Sequence, residues 1–471
     1  MKYWALSIFV FLTCFSGQLQ AQLHCPSYDK INSVKDARAD IDFIRNSLEK
    51  EHPNLYRYIS KQAFDNKIDS LKSSLKRPVT NIALRLGIAS VLSSIGDGHL
   101  SIRINLSNTE VEAAKAAAIN IYPIEQFKYR VLQGRLYITG ASETNVVIPS
   151  GAEVLSINGI AAAKMLADFF SVIPSDGYNQ TFKSQALNMG LIPDLFTQLY
   201  GLKKNILFKV KFNDTERLVE VKALPRKTPP QPIGEVTSDF KLLPNGTGYL
   251  KIGSFPRMPF DGMPGQIQSG VMGDLLSPYA SVFWRLSNTR TTSLILDLRN
   301  NHGGDFIAVT NLFSYLISRP SLFAKVDNNV LNDKTKTPDE RVKYGSAIPV
   351  TPQSANFRGK LFVLVNGCTF SAASLLAANL QGLGNAVIIG EETGGGRNAL
   401  MGGLTKDVTT PHSGMILQLR TVQMESPVPD NTEGRGVMPD IAISYSINEY
   451  LSGVDKELER AKSEIAKQAV K

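Results

Sequence analysis

Over residues 33–95 apolar side chains return every three or four positions, the period of a helix with one buried face. Val34, Ile41, Ile44 and Leu48 fall on one such face, with Ser33 and Asp36 placed as a capping box. Phe64, Ile68, Leu71 and Leu75 mark a second helix, and His52-Pro53 separates the two because a residue before proline is pushed out of the helical region. A third stretch from Thr80 carries Leu84, Leu86, Ile88, Val91 and Leu92 and stops at Gly96-Asp97-Gly98. A small helical bundle is expected over 22–105, with the glycine turn delivering His99 at its exit.

Beyond it the period shortens. Residues 135–139 and 153–157 read as strands, 206–212 and 217–221 as a hairpin around Asn213-Asp214, and 161–170 as an interrupting helix, so a β module is expected over 115–224. Asn158-Gly159 is a tight-turn signal, and Pro225, Pro229, Pro230 and Pro232 mark a linker over 225–233. From Gly248 onward short continuous apolar runs at 293–298, 361–365 and 386–389 alternate with helical segments at 306–317 and 372–380. Such runs belong to strands covered on both faces, which predicts an α/β domain over 234–445. A charged amphipathic helix over 448–469 follows, within a C-terminal segment 446–471.

The first residues alter the reading of the rest. Lys2, an apolar run over 3–15, Ser16, Gly17 and Ala21 have the three-part layout of a secretory signal over 1–21, and the run is too short to span a bilayer at ~20 residues. An exported chain, periplasmic or secreted, is expected, with Cys14 the residue of a minority lipoprotein reading. Removal of Cys14 leaves only Cys25 and Cys368, so at most one disulfide is possible and a cysteine-built zinc site is excluded. His24, His52, His99, His302 and His412 show no ligand spacing, so no metal and no cofactor is expected. The chain of 471 residues carries a net charge of +9 with no basic run, which argues against a nucleic-acid partner.

Two constellations carry candidate chemistry. At Asp297-Leu-Arg-Asn-Asn-His-Gly-Gly304 a buried strand runs into paired glycines that open a helix, where the amides of Gly303 and Gly304 can face an anion. At Val365-Asn-Gly-Cys-Thr-Phe-Ser371 a second strand turns into a helix, placing Ser371 at the positive end of the helix dipole and the Ala372 amide beside it. A serine there is most often a cap. Thr369, already available as a cap, and the small pair Ala372-Ala373 favour a nucleophile. A serine nucleophile needs a base, and spacing alone leaves His99, His302, His412 and Lys406 open.

These motifs, together with Asp97-Gly-His-Leu, Gly248-Tyr-Leu-Lys-Ile, Gly390-Glu-Glu-Thr-Gly-Gly and Glu433-Gly-Arg-Gly-Val-Met-Pro-Asp440, resemble in order the tail-specific (C-terminal processing) serine peptidases. The resemblance implies a crotonase/ClpP-like protease core, a PDZ-like β module and a serine endopeptidase acting on protein or peptide substrates. It further implies the tricorn-core and retinoid-binding-protein-like branch: Ser371 as nucleophile, His99 as base, Glu433 orienting His99, and the amides of Gly303 and Ala372 as oxyanion hole. Gly396 and Arg397 stand where the other branch carries a lysine base, and arginine stays protonated. Gly98 stands where the tricorn core has a serine before its histidine, with Ser101 as a substitute. His302 replaces a residue that is usually small or proline. A ligand-binding relative without turnover and a PDZ-type scaffold with a decayed core are the competing expectations.

Overall fold

The computed structural model describes residues 25–226, 238–256, 279–326 and 349–469. The expected signal segment and most of the proline-rich linker lie outside the described residues. After a single helical turn at Pro26–Asp29 and a two-residue strand at Ile31–Asn32 come helices α1 (Val34–Glu51), α2 (Lys61–Ser74) and α3 (Asn81–Ser93). Ser33, Ser60 and Thr80 each accept a backbone N–H from the first turn of the helix that follows, which satisfies a donor that has no intrahelical acceptor. Ile41, Ile44, Leu48, Phe64, Ile68, Leu84, Ile88 and Leu92 bury against one another, and Met415, Leu417 and Leu419 join the same cluster from far along the chain. A short strand β1 (Ser101–Arg103) and helix α4 (Asn108–Ala117) follow.

The next segment contains β2 (Phe127–Leu132), β3 (Arg135–Ala141), β4 (Glu153–Ile157), α5 (Ala162–Val172), α6 (Thr181–Ala186), α7 (Ile192–Tyr200), β5 (Asn205–Phe212) and β6 (Thr215–Lys222). The strands form an antiparallel sheet in the order β6-β5-β4-β3-β2. Asn213 and Asp214 take φ of 46° and 59° between β5 and β6, the left-handed pair that lets a two-residue turn follow the sheet twist. The hydrophobic pattern does not predict α6 and α7. Gly190 at φ 106° and Pro193 interrupt their period, so no single helical repeat emerges.

Strands β7 (Asp239–Leu242), β8 (Gly248–Lys251), β9 (Ser293–Asp297), β10 (Lys360–Val365) and β11 (Ala386–Gly390) build the core, with helices α8 (Ala280–Asn288), α9 (Phe306–Ser314) and α10 (Ala372–Gly382) between them. A long hairpin, β12 (Ala399–Thr409) and β13 (Ile416–Glu425), precedes β14 (Ile441–Ala442). The core sheet runs β7-β8-β9-β10-β11-β14 and is parallel from β8 onward. Alternation explains its continuous apolar runs. Leu294, Leu296, Val363 and Val365 face α9 and α10, while Ile295, Phe362, Leu364 and Ile389 face Ala461 and Ile465 of the C-terminal helix.

The C-terminal helix expected over 448–469 is two helices, α11 (Ile447–Leu451) and α12 (Lys456–Ala469), parted by Gly453 at φ 73°. Arg299, leaving β9, fastens this segment: it donates at 2.7 Å to Asp297 and at 2.7 Å to Asp455. A short strand pairing ties the bundle to the core. β1 adds to the edge of β13, Ser101 opposite Gln418 and Arg103 opposite Ile416, so the residues just before β1 are carried onto the core.

The Arg299 junction gives a stability prediction. Asp297 is fully buried, so losing the guanidinium would leave an uncompensated anion in the core. Arg299→Leu should therefore lower unfolding free energy by about 3–5 kcal/mol, read from the urea midpoint, whereas Asp455→Asn on the more exposed side should lower it by less.

Candidate active site

Between β10 and α10 the chain makes a sharp turn held by Asn366, whose Oδ1 accepts the N–H groups of Asn300 and Cys368 at 3.0 and 3.1 Å. Thr369 is not the helix cap expected of it: its hydroxyl donates to Leu298 O at 2.9 Å and accepts from Asn366 N. Ser371 does not cap the helix with its side chain either. It sits at φ 52°, ψ −127°, a left-handed backbone that L-residues avoid at a cost of about 1–3 kcal/mol. This conformation lifts Oγ off the turn at the N-terminus of α10 and leaves it half-exposed in the cleft.

His99 meets it there. Its Nε2 lies 3.1 Å from Ser371 Oγ, and its ring lies on Phe370 at 4.6 Å, which in turn packs on Phe182 at 4.8 Å. The loop carrying His99 is fixed from a third segment: Gly98 N–H donates to Asp176 Oδ1 at 2.8 Å and Gly177 N–H to Gly96 O at 2.8 Å. Asp176 also accepts from Gly396 N–H at 2.9 Å, and burial pushes its carboxyl up to about 6. Asp97 lies beside it, buried, accepting His99 N–H at 2.8 Å and facing His52 Nε2 at 3.1 Å. His52 and His99 hold Asp97 well below the usual carboxylate range against the opposing effect of its burial.

Four of the expected site residues come together: Ser371, His99, Gly303 and Ala372. A Cβ built on Gly303 would lie 2.8 Å from both Ser371 Cβ and Ala372 N, and Gly303 has φ of 91°, so only glycine fits. Its own N–H, however, donates to Asn301 Oδ1 at 2.8 Å and so is already occupied. Glu433 does not reach the histidine. Its carboxylate accepts from Arg57 Nε at 2.7 Å on an open surface, and His99 Nδ1 is buried with no hydrogen-bond partner. Ser101, the substitute considered for the link, is in β1 beyond the loop.

The other candidate bases are elsewhere. Lys406 pairs with Glu51 at 2.8 Å and His412 with Asp36 at 3.5 Å. Arg397 turns away to Asp430 at 2.7 Å and to Ala378 O at 2.9 Å. Among the described residues Cys25 and Cys368 are buried and free, each in a different part of the structure, so they form no disulfide with each other. Asp97, His99 and Asp176 offer ligand-type atoms within 4.8 Å of one another, a grouping that residue spacing does not suggest. Spacing places Asp97 beside His99 but gives no reason to single it out, and Asp176 comes from a loop without a readable pattern.

Residues 246–443 match the model of peptidase family S41. The match spans the α/β core and leaves the helical bundle and the middle segment outside it. The chloroplastic C-terminal processing peptidase of Tetradesmus obliquus is 29% identical over 165 residues, 35% of this chain and 32% of the relative, so the chain spans about a third of that protein's length. The crystal structure of mature CPAF superposes with a TM-score of 0.60 at 17% identity, covering 91% of this chain and 98% of the other. Mature CPAF complexed with lactacystin gives 0.59 at 17%, with 91% and 99% covered. At such identities the superpositions establish a shared mixed α/β fold and nothing finer.

Within this core His302 stands in the loop before Gly303, its Nε2 buried and unpartnered, and burial lowers its imidazole to about 4. An unfolded histidine titrates near ~6.5, so between those values the unfolded chain binds more protons and stability falls as pH is lowered. His302→Gln should flatten that loss: urea midpoints taken at pH 7 and pH 4.5 should differ less in the variant than in the wild type.

Proposed function

We propose that this S41 protein is an exported serine peptidase that hydrolyses peptide bonds with Ser371 as nucleophile and His99 as general base. The single observation that carries the reading is the 3.1 Å approach of His99 Nε2 to Ser371 Oγ. In the forward step Oγ bonds to the scissile carbonyl carbon while its proton passes to Nε2. The oxyanion meets the Ala372 amide at the start of α10, where helix geometry leaves N–H groups unpaired. The same proton then goes to the leaving amine as the C–N bond breaks, and water repeats the path on the acyl-enzyme. The Gly303 amide contributes a second donor by exchanging Asn301 Oδ1 for the oxyanion, so this half of the hole forms only with substrate bound.

Substrate delivery falls to the segment 115–224, read as a PDZ-like module that takes an extended chain end by strand addition. At the β2 edge Val131 N–H donates to Asn188 Oδ1 at 2.6 Å and Asn188 Nδ2 donates to Val131 O at 3.2 Å, so a side chain already fills that position. The β6 edge, with Glu216, Arg217, Glu220 and Lys222, is the one this reading assigns to the substrate. Export rests on Lys2, the apolar run over 3–15 and Ala21. Among the described residues no helix is long and apolar enough to cross a membrane.

A fluorophosphonate probe should label the wild type and leave Ser371→Ala unlabelled. In the same variant kcat on a cleaved peptide should fall by at least about 10³-fold, the residual coming from the remaining amides and binding. Labelling or near wild-type turnover in Ser371→Ala overturns the assignment. Recognition of a chain terminus requires its free carboxylate. C-terminal amidation of a good peptide substrate should therefore lower kcat/KM by about 10-fold or more through KM, and equal rates for the two peptides reject presentation of the tail.

A further inference from the structure

A histidine that takes a proton at Nε2 must already carry one at Nδ1, and the imidazolium it becomes needs an anion facing that N–H. Glu433 does not supply it, being held at the surface by Arg57. The nearest carboxylate oxygen is Asp97 Oδ1, 3.7 Å from His99 Nδ1.

Everything around Asp97 fixes that oxygen in place. Asn54 N–H donates to His52 Nδ1 at 3.2 Å, so the neutral His52 carries its proton on Nε2 and donates it to Asp97 Oδ2 at 3.1 Å. Oδ1 accepts the backbone N–H of His99 itself at 2.8 Å, which ties the carboxylate to the residue whose ring it faces. The side chains of His52 and Asp97 are 1% and 2% exposed, so water does not compete for either. Asp176, the other nearby acid, has both oxygens on backbone amides and is the more easily protonated of the two. A closure of about 1 Å by the His99 ring would make the Nδ1–H···Oδ1 bond, the tightening expected when an unliganded site binds substrate.

We infer that Asp97, held by His52, is the positioning carboxylate for His99, and that Glu433 serves a surface ion pair with Arg57. This rests on the reading of Ser371 and His99 as a peptidase pair. The groups facing Asp97 are His52 from the end of α1, His99 on its own loop, Asp176 from the segment before α6 and Arg420 from β13. Because Asp176 titrates in the same range as a histidine, the acid limb is compared between variants and not assigned to one group.

The test is kcat, KM and the pH dependence of kcat/KM for Asp97→Asn, His52→Gln, His52→Ala and Glu433→Gln in the full chain, with Ser371→Ala as control. Asp97→Asn, which keeps shape and loses charge, should lower kcat by about 10³–10⁴-fold with KM little changed. It should also move the acid limb to lower pH, since an imidazolium without its anion is less stable. His52→Gln keeps an N–H for Asp97 and should retain most of the activity that His52→Ala loses. Glu433→Gln should stay within about threefold of wild type with its limb unmoved. A loss of 100-fold or more in Glu433→Gln overturns the inference, and it does so even when Asp97→Asn fails to fold. So does an Asp97→Asn enzyme with wild-type kcat. Activity persisting in Ser371→Ala is a different failure, that of the peptidase reading itself.

Discussion

The site depends on one buried carboxylate that takes no part in the proposed proton transfer. Asp176 accepts the amides of Gly98 and Gly396, and its neighbours Gly177 and Tyr178 donate to Gly96 O and Gly434 O. Four stretches of chain, from the helical bundle, the middle segment and two loops of the core, are thereby held in one register. Two amides do not fully replace water around a buried anion, which is why its carboxyl sits at about 6. The middle segment therefore supplies part of the site's frame, and removing it would take the frame with it.

Close approach is the second constraint. A Cβ on Gly395 would lie 2.8 Å from Ser371 N and one on Gly303 2.8 Å from Ser371 Cβ, so glycine-bearing loops press on the nucleophile turn from both sides. That pressure holds Ser371 in its left-handed backbone, since a looser turn would relax toward an ordinary helix start with Ser371 as a plain cap. Ser374 reinforces it, donating to Gly395 O at 2.7 Å from the first turn of α10.

Charge is handled differently inside and outside the cleft. Arg57–Glu433 and Lys406–Glu51 are partly exposed pairs that solvent screens, and each contributes little beyond local orientation. The acid–imidazole grouping of His52, Asp97, His99 and Asp176 is dry, and within it the two imidazoles hold the Asp97 carboxyl low while burial pushes that of Asp176 up. An imidazolium formed at His99 would stand beside the Asp97 carboxylate, whose charge offsets the cost of burying it.

Residue order alone determined many of the elements and the candidate nucleophile. The capped helices of the bundle, the Asn213-Asp214 hairpin, the doubly covered strands β9, β10 and β11 and the strand-to-helix turns at Gly303 and Ser371 all follow from local period and turn chemistry, which act over a few residues. The family resemblance selected His99 among the open bases. Tertiary structure decided which distant groups meet: β1 pairing with β13 is what carries His99 to Ser371, and α6–α7, with the Asp176 loop before them, carry no clean period to read. It also turned Glu433 toward Arg57 and left Asp97 facing His99, because a carboxylate takes the partner the packed chain brings within reach, and nothing in the spacing between residues 57, 97, 99 and 433 encodes that distance.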